Sequence, residues 1–288
     1  MTACRFFAYP TADARALFGR DWDPGTPTGL PVVCLPGLTR SSTDFEALAE
    51  ALVARGRRVV ALDFRGRGGS ARAPVATYAI PQEAEDTVAG LTALGIPRAL
   101  FLGTSRGGLV MLHLAQSHPD LLHACAFNDI GPVVETAGIA RITGYVGKAP
   151  PATWPELVED LKAGQGALFP KITAADWERY ARQIYADDGG VPRLAYDPAM
   201  AEAFKAFDPT RPLPEFWEAF DALAGTPVLA IHGALSDVLS QPTVEAMATR
   251  HPGLEIYTVD DQGHAPLLWD ARSQKVIGDF FDRADPPR

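Results

Sequence analysis

Cysteine is scarce: Cys4, Cys34 and Cys125 are the three in a chain of 288 residues. Their odd number, wide spacing and lack of a C-x-x-C pair exclude a disulfide framework and a redox or zinc-ribbon motif. Cys34 lies in an apolar run that reads as core, so the expectation is buried free thiols in a reducing compartment. Long apolar runs are missing as well, since none approaches the roughly 18 residues of a membrane span. The first ten residues lack the basic start, apolar middle and small-residue end of a secretory signal, which gives a cytoplasmic expectation and no membrane partner. Positive charge is short: 26 Lys and Arg stand against 35 Asp and Glu, and the net −9 repels nucleic acid on average. Neither an H-E-x-x-H helix nor a G-x-G-x-x-G behind a strand occurs, so no metal and no cofactor are expected.

What remains is an ordinary globular composition, 47% hydrophobic and 21% charged, with enough apolar side chains for a large core. From residue 31 onward, short apolar runs alternate with stretches of helical period, the pattern of a mostly parallel sheet covered by helices. The strand candidates are 31–36 (PVVCLP), 58–63 (RVVALD), 99–104 (ALFLGT), 123–128 (HACAFN), 226–232 (TPVLAIH) and 254–259 (LEIYTV). Several are too uniformly apolar to face water on either side. Phe45, Leu48, Ala49, Leu52 and Val53 share one helical face, with Thr43 and Glu46 spaced as a capping box. Residues 80–94, 107–116, 243–250 and 273–281 are the other covering helices, and the tail 283–288 is expected to be loose.

The rhythm breaks between 132 and 223, where no convincing strand occurs. Trp154, Trp177, Tyr180, Tyr185, Phe204, Phe207, Phe216 and Trp217 are scattered there among Pro-punctuated helical pieces. This reads as an inserted helical cap, 132–223, on a core made of 1–131 and 224–288. Its aromatics are expected to form mainly the cap's own core.

Gly103-Thr104-Ser105-Arg106-Gly107 matches G-x-S-x-G between an apolar strand and a helical segment. With eight serines and 26 glycines, chance supplies only about 0.07 such matches before the strand and helix are required. Glycines two residues either side of a serine suit a turn so tight that the flanking backbones nearly touch. Such a turn holds Oγ clear of the sheet and aims the Arg106 N–H toward an anion forming on a carbonyl.

A serine needs a histidine to take its proton and a carboxylate to hold that histidine's tautomer. Of six histidines, His113, His118, His123, His232 and His251 read as packing or surface residues. His264, in Asp260-Asp261-Gln262-Gly263-His264-Ala265-Pro266, follows the last strand and is the candidate base. Asp237, after the preceding strand, gives the order Ser, Asp, His and is the preferred acid. Asp129, one strand earlier, is the alternative, and Asp260 and Asp261 shape the histidine loop.

Strand, elbow serine, late acid and Gly-His loop together resemble the α/β-hydrolase superfamily across roughly residues 30 to 283. Within it, 35–40 (LPGLTR), 63–70 (DFRGRGGS) and 263–266 (GHAP) resemble the bacterial esterase-like group with a helical cap. The resemblance implies a serine hydrolase cleaving a small to medium carboxylic ester or lactone through an acyl-enzyme. It also implies an oxyanion hole from the Leu38 amide partnered by Arg106, although Pro36-Gly37 stands where that family commonly has His-Gly. Arg40 and Arg106 flank the pocket, and the Arg40 side chain is a candidate substrate-binding group. The 65–70 turn lacks the ending of a phosphate loop. A serine at the elbow argues against the haloalkane dehalogenases and epoxide hydrolases of the superfamily, whose nucleophile is aspartate. A C–C hydrolase of ring-cleavage products, or a low-turnover ligand receptor on the same fold, are the competing readings.

Overall fold

The computed structural model describes residues 4–286. An eight-stranded sheet runs through the molecule in the order β1 (Cys4–Pro10), β2 (Ala16–Trp22), β4 (Val59–Leu62), β3 (Val32–Leu35), β5 (Ala99–Thr104), β6 (Leu122–Asn128), β9 (Val228–Gly233), β10 (Glu255–Val259). The pairings from β4 to β10 are parallel, and β1 and β2 join antiparallel at one edge.

Successive residues of the central strands feed opposite cores, as the two-residue period of a strand requires. Val33, Leu35, Phe101 and Phe127 pack on the side covered by α2 (Ile80–Ala93), α3 (Arg106–Ser117) and α8 (Gln241–Arg250). Val32, Cys34, Leu100 and Leu102 pack on the side of α1 (Glu46–Val53) and α9 (Ala271–Ala284). With both faces buried, alternation disappears from the sequence, and continuous apolar runs result. All six strand candidates are present.

Several expectations need correction. The hairpin β1–β2 is added to the expected strands, and its pattern is masked because the inward positions of β2 include Gly19 and Asp21. Asp21 is 2% exposed and survives there because Arg58 grips it with two bonds of 3.0 Å. The Thr43–Glu46 capping box does not form. A 3-10 turn, Ser42–Phe45, precedes α1, and the Thr43 hydroxyl donates instead to the Gln183 carbonyl at 3.0 Å. The tail is held through Asp285, which accepts from the Leu30 N–H at 2.7 Å and pairs with the buried Arg57 at 2.6 Å. Residues 287–288 lie outside the described residues.

Between β6 and β9 lie α4 (Thr136–Thr143), α5 (Trp154–Gln165), α6 (Ala174–Ile184), a hairpin of β7 (Tyr185–Asp188) and β8 (Val191–Leu194), and α7 (Trp217–Asp221). The hairpin departs from an all-helical insertion. Its turn is Gly189-Gly190, both at positive φ, as a two-residue hairpin loop demands, but its strands are short and mostly exposed and so carry no apolar alternation. Trp154, Leu157, Phe169, Trp177 and Tyr180 form a small core of their own, closed by Leu267 from the main body. Phe204, Phe216 and Trp217 pack instead against the main core. The segment between β6 and β9 meets the 63–70 turn, where Gly68 donates to Ala195 at 2.8 Å and Asp197 to Gly66 at 2.7 Å. Among the described residues no helix is long and apolar enough to cross a membrane.

Candidate active site

Ser105 sits between β5 and α3 with φ 50° and ψ −113°, a strained conformation for a residue with a side chain. The elbow explains its glycines. A Cβ on Gly103 would lie 2.6 Å from the Gly107 carbonyl carbon and from the Gly108 nitrogen, and one on Gly107 would lie 2.1 Å from the Leu35 carbonyl oxygen. The first clash is across the turn, as expected; the second is with the neighbouring strand β3. The turn therefore ties the serine to the strand that launches the 37–40 loop, which passes close enough that a Cβ on Gly37 would be 3.9 Å from Ser105 Cβ.

Ser105 Oγ is 2.9 Å from His264 Nε2, and His264 Nδ1 is 2.8 Å from Asp129 Oδ2. The histidine loop is pinned on both sides: the Asn128 amide donates to the Pro266 carbonyl at 3.0 Å, and the Gly263 N–H to the Leu168 carbonyl at 2.7 Å. Its imidazole side chain is 8% exposed and the Asp129 side chain fully buried. Asp129, at the end of β6 with φ 56°, also accepts from the Gly233 N–H at 2.8 Å and the Ser236 hydroxyl at 2.6 Å. Both of its oxygens are thus hydrogen-bonded, by three donors in all, as a buried carboxylate requires.

The expected acid, Asp237, is not the carboxylate that meets the histidine. Asp237 does not bond His264; its carboxylate takes Arg141 of α4 in two bonds of 2.5 and 2.8 Å. The cause is Ser236, whose hydroxyl oxygen accepts from the Val238 and Leu239 amides at 3.1 and 3.0 Å while its proton goes to Asp129. That knot turns the chain so that Asp237 points to the insertion. Burial pushes the Asp237 carboxyl up, but the Arg141 guanidinium outweighs it and holds the group below the usual carboxylate range. Chain order fits Asp129 and Asp237 equally; the only sequence hint was Ser236 next to Asp237, a residue given no role.

The Arg106 N–H is the first of α3, so no carbonyl one turn back satisfies it, and it carries the positive end of the helix. Leu38 is half-buried and lines the same cavity of about 180 Å³ as Ser105 and His264. Arg40 also lines that cavity, but its guanidinium is engaged by Asp44 at 2.7 and 3.0 Å and stacks on the Tyr180 ring at 4.9 Å. The Arg106 side chain turns away from the cavity to Glu83. Arg65 and Arg67 of the 65–70 turn are fully buried and paired with Asp86 and Glu83.

The profile of the alpha/beta hydrolase fold matches residues 31–271 of the chain. The 3-hydroxybutyrate-oligomer hydrolase of Cupriavidus necator is 33% identical over 275 residues, covering 92% of both chains. The chain belongs to the α/β-hydrolase family. Another relative of this α/β hydrolase is the sn-1-specific diacylglycerol lipase of Mus musculus, 28% identical over 81% of the chain and 74% of the lipase. Among solved structures, an alpha/beta hydrolase from Novosphingobium aromaticivorans superposes with a TM-score of 0.90 at 37% identity, covering 98% of this chain and 99% of that one.

Proposed function

We propose that this α/β hydrolase cleaves a small to medium carboxylic ester or lactone through an acyl-enzyme. Ser105 attacks the carbonyl carbon, and His264 takes the Ser105 proton and returns it to the leaving alcohol. Asp129, rather than Asp237, holds the imidazole with its proton on Nδ1 and stabilises the imidazolium that forms. The amides of Leu38 and Arg106 receive the oxyanion. Water then repeats the sequence on the acyl group, with His264 again as base. Residues 132–223 act as the cap that shapes the substrate space.

The observation that carries this reading is the continuous chain from Ser105 Oγ to His264 to Asp129, with contacts of 2.9 and 2.8 Å. The names of two relatives, an oligomer hydrolase and a diacylglycerol lipase, support an ester as the bond cleaved. A neutral scissile group suits the cavity, since Arg40 and Arg141 on its wall are each neutralised by an aspartate. Burial pushes the Tyr185 phenol on that wall up to about 12, so it remains an uncharged donor.

Hydrolysis of p-nitrophenyl esters of increasing acyl length, together with a few lactones, tests the reading. Wild-type turnover should vanish in Ser105→Ala, and the preferred length should match a cavity of this size. Turnover that survives in Ser105→Ala, or a folded wild type inactive on every ester and lactone, refutes it.

A further inference from the structure

Behind the two amides assigned to the oxyanion hole lies a buried ionic cluster that the triad does not use. Glu83, on α2, is fully buried and shares its two carboxylate oxygens between two arginines. Oε1 is 2.8 Å from Arg67 Nη1, and Oε2 accepts from Arg106 Nε at 2.7 Å. Arg67 is itself buried, and its Nε donates to the carbonyl of Leu38 at 2.8 Å while Nη1 donates to the carbonyl of Arg65. Arg106 Nη2 donates to the carbonyl of Tyr78 at 2.9 Å. One carboxylate therefore reaches both halves of the hole: the Leu38 backbone through Arg67, and the residue whose N–H opens α3 through the Arg106 side chain.

We infer that Glu83 and Arg67 are positioning residues that fix the spacing of the Leu38 and Arg106 amides, so that the oxyanion hole is formed before substrate arrives. The inference rests on the acyl-transfer reading above. Leu38 lies in the 37–40 loop, where Gly37 has no side chain to anchor the chain, and a loop free to rotate one peptide would turn an N–H away from the anion. The Gly37 carbonyl, on the same peptide as the Leu38 N–H, accepts from the Arg40 N–H at 3.2 Å, and Arg67 Nε holds the Leu38 carbonyl of the next peptide, so the backbone is tied on both sides of the Leu38 α-carbon. Stabilisation by fixed dipoles depends on their being aimed in advance, because an amide that must reorient during reaction loses much of its effect. A buried carboxylate that meets a different guanidinium on each oxygen ties the two arginines to one another through planar groups, which leaves little freedom between them. Burying the charges of Arg67 and Glu83 for packing alone would be a poor choice, since apolar side chains of similar volume often stabilise as well.

The test is steady-state kinetics of Glu83→Gln and Arg106→Met on p-nitrophenyl butyrate, with active sites counted by a fluorophosphonate. Inhibition by a trifluoromethyl ketone, which forms an oxyanion adduct on Ser105, is measured beside it. Arg106→Met keeps the backbone N–H and most of the side-chain volume, so it remains informative should Glu83→Gln fail to fold. The expected result is a fall in kcat per active site of roughly tenfold to a hundredfold, with KM moved less than about twofold. Ketone affinity should weaken by the same factor as kcat, and Arg106→Lys should restore part of both. A merely structural role would lower the number of titratable sites and leave kcat per site and ketone affinity as in the wild type, which overturns the inference. A wild type without Ser105-dependent turnover overturns the acyl-transfer reading itself, and with it this inference.

Discussion

Replacing Asp129 by asparagine separates the two carboxylates that compete for the histidine. Asp129 receives three donors on two oxygens: Gly233 N–H on Oδ1, and Ser236 Oγ–H and His264 Nδ1–H on Oδ2. An asparagine has one oxygen, so its NH2 must face a donor. If it replaces Oδ2, the amide donates to Nδ1 and forces the proton to Nε2, where the imidazole can no longer accept from Ser105. If it replaces Oδ1, the histidine keeps its tautomer, but the imidazolium loses its counter-charge and the buried Gly233 N–H loses its acceptor. The second arrangement costs about 1–3 kcal/mol of stability. By either route kcat should fall about 10³- to 10⁴-fold, the range for an acid-to-amide change in such a triad. Asp237→Asn, which disturbs a pair with each side chain about a quarter exposed, should leave kcat within about tenfold. Both variants are assayed on p-nitrophenyl butyrate, with urea titrations to separate lost rate from lost fold. A larger loss in Asp237→Asn than in Asp129→Asn would refute the assignment.

Gly107→Ala should lower Tm by several degrees and reduce kcat together, because its Cβ would sit 2.1 Å from the Leu35 carbonyl and push β3 and the 37–40 loop off the elbow. Gly164→Ala, on the exposed end of α5 with nothing outside its own helix within 4 Å of the new Cβ, should instead raise stability by about 0.4–1 kcal/mol, as thermal melts would show. The Arg141–Asp237 pair should add an acid-sensitive contribution of the order of 1 kcal/mol. Because the folded Asp237 sits below its unfolded value, near 3.9, the contribution is complete above that value and is lost as pH falls through the folded one. Urea midpoints of wild type and Arg141→Met should therefore differ at pH 7 and converge below about pH 4; a gap that stays constant would count against the pair.

The central sheet was legible because burial on both faces writes itself as uninterrupted apolar runs, from VVCL of β3 to VLAI of β9. The elbow was legible because sterics permit so few residues there: Gly103 and Gly107 have backbone atoms within 2.1–2.6 Å of where a Cβ would be. Features whose logic is polar and long-range were not. The edge strand β2 hides behind a salt-bridged Asp21, and the β7–β8 hairpin behind exposure. The carboxylate that meets His264 hides behind a serine: only the fold reveals that Ser236 bonds Asp129 across 107 residues and turns Asp237 away. The Arg67–Glu83–Arg106 cluster was likewise invisible, since its members read individually as a turn, a helix and a pocket rim.

Cys34 and Cys125 lie on β3 and β6, the two strands that flank β5, and neither is exposed at all. Burial pushes both thiols well above the ordinary cysteine range, so in the closed sheet they present neither access nor thiolate to a reagent. Their labelling in native buffer is consequently a clock for the sheet itself: each modified thiol records one occasion on which the strand beside the nucleophile came apart. The partly exposed Cys4, on the edge strand, keeps separate time for the periphery. The molecule thus carries, without any engineered label, a pair of reporters on either side of Ser105 and a third to set the baseline.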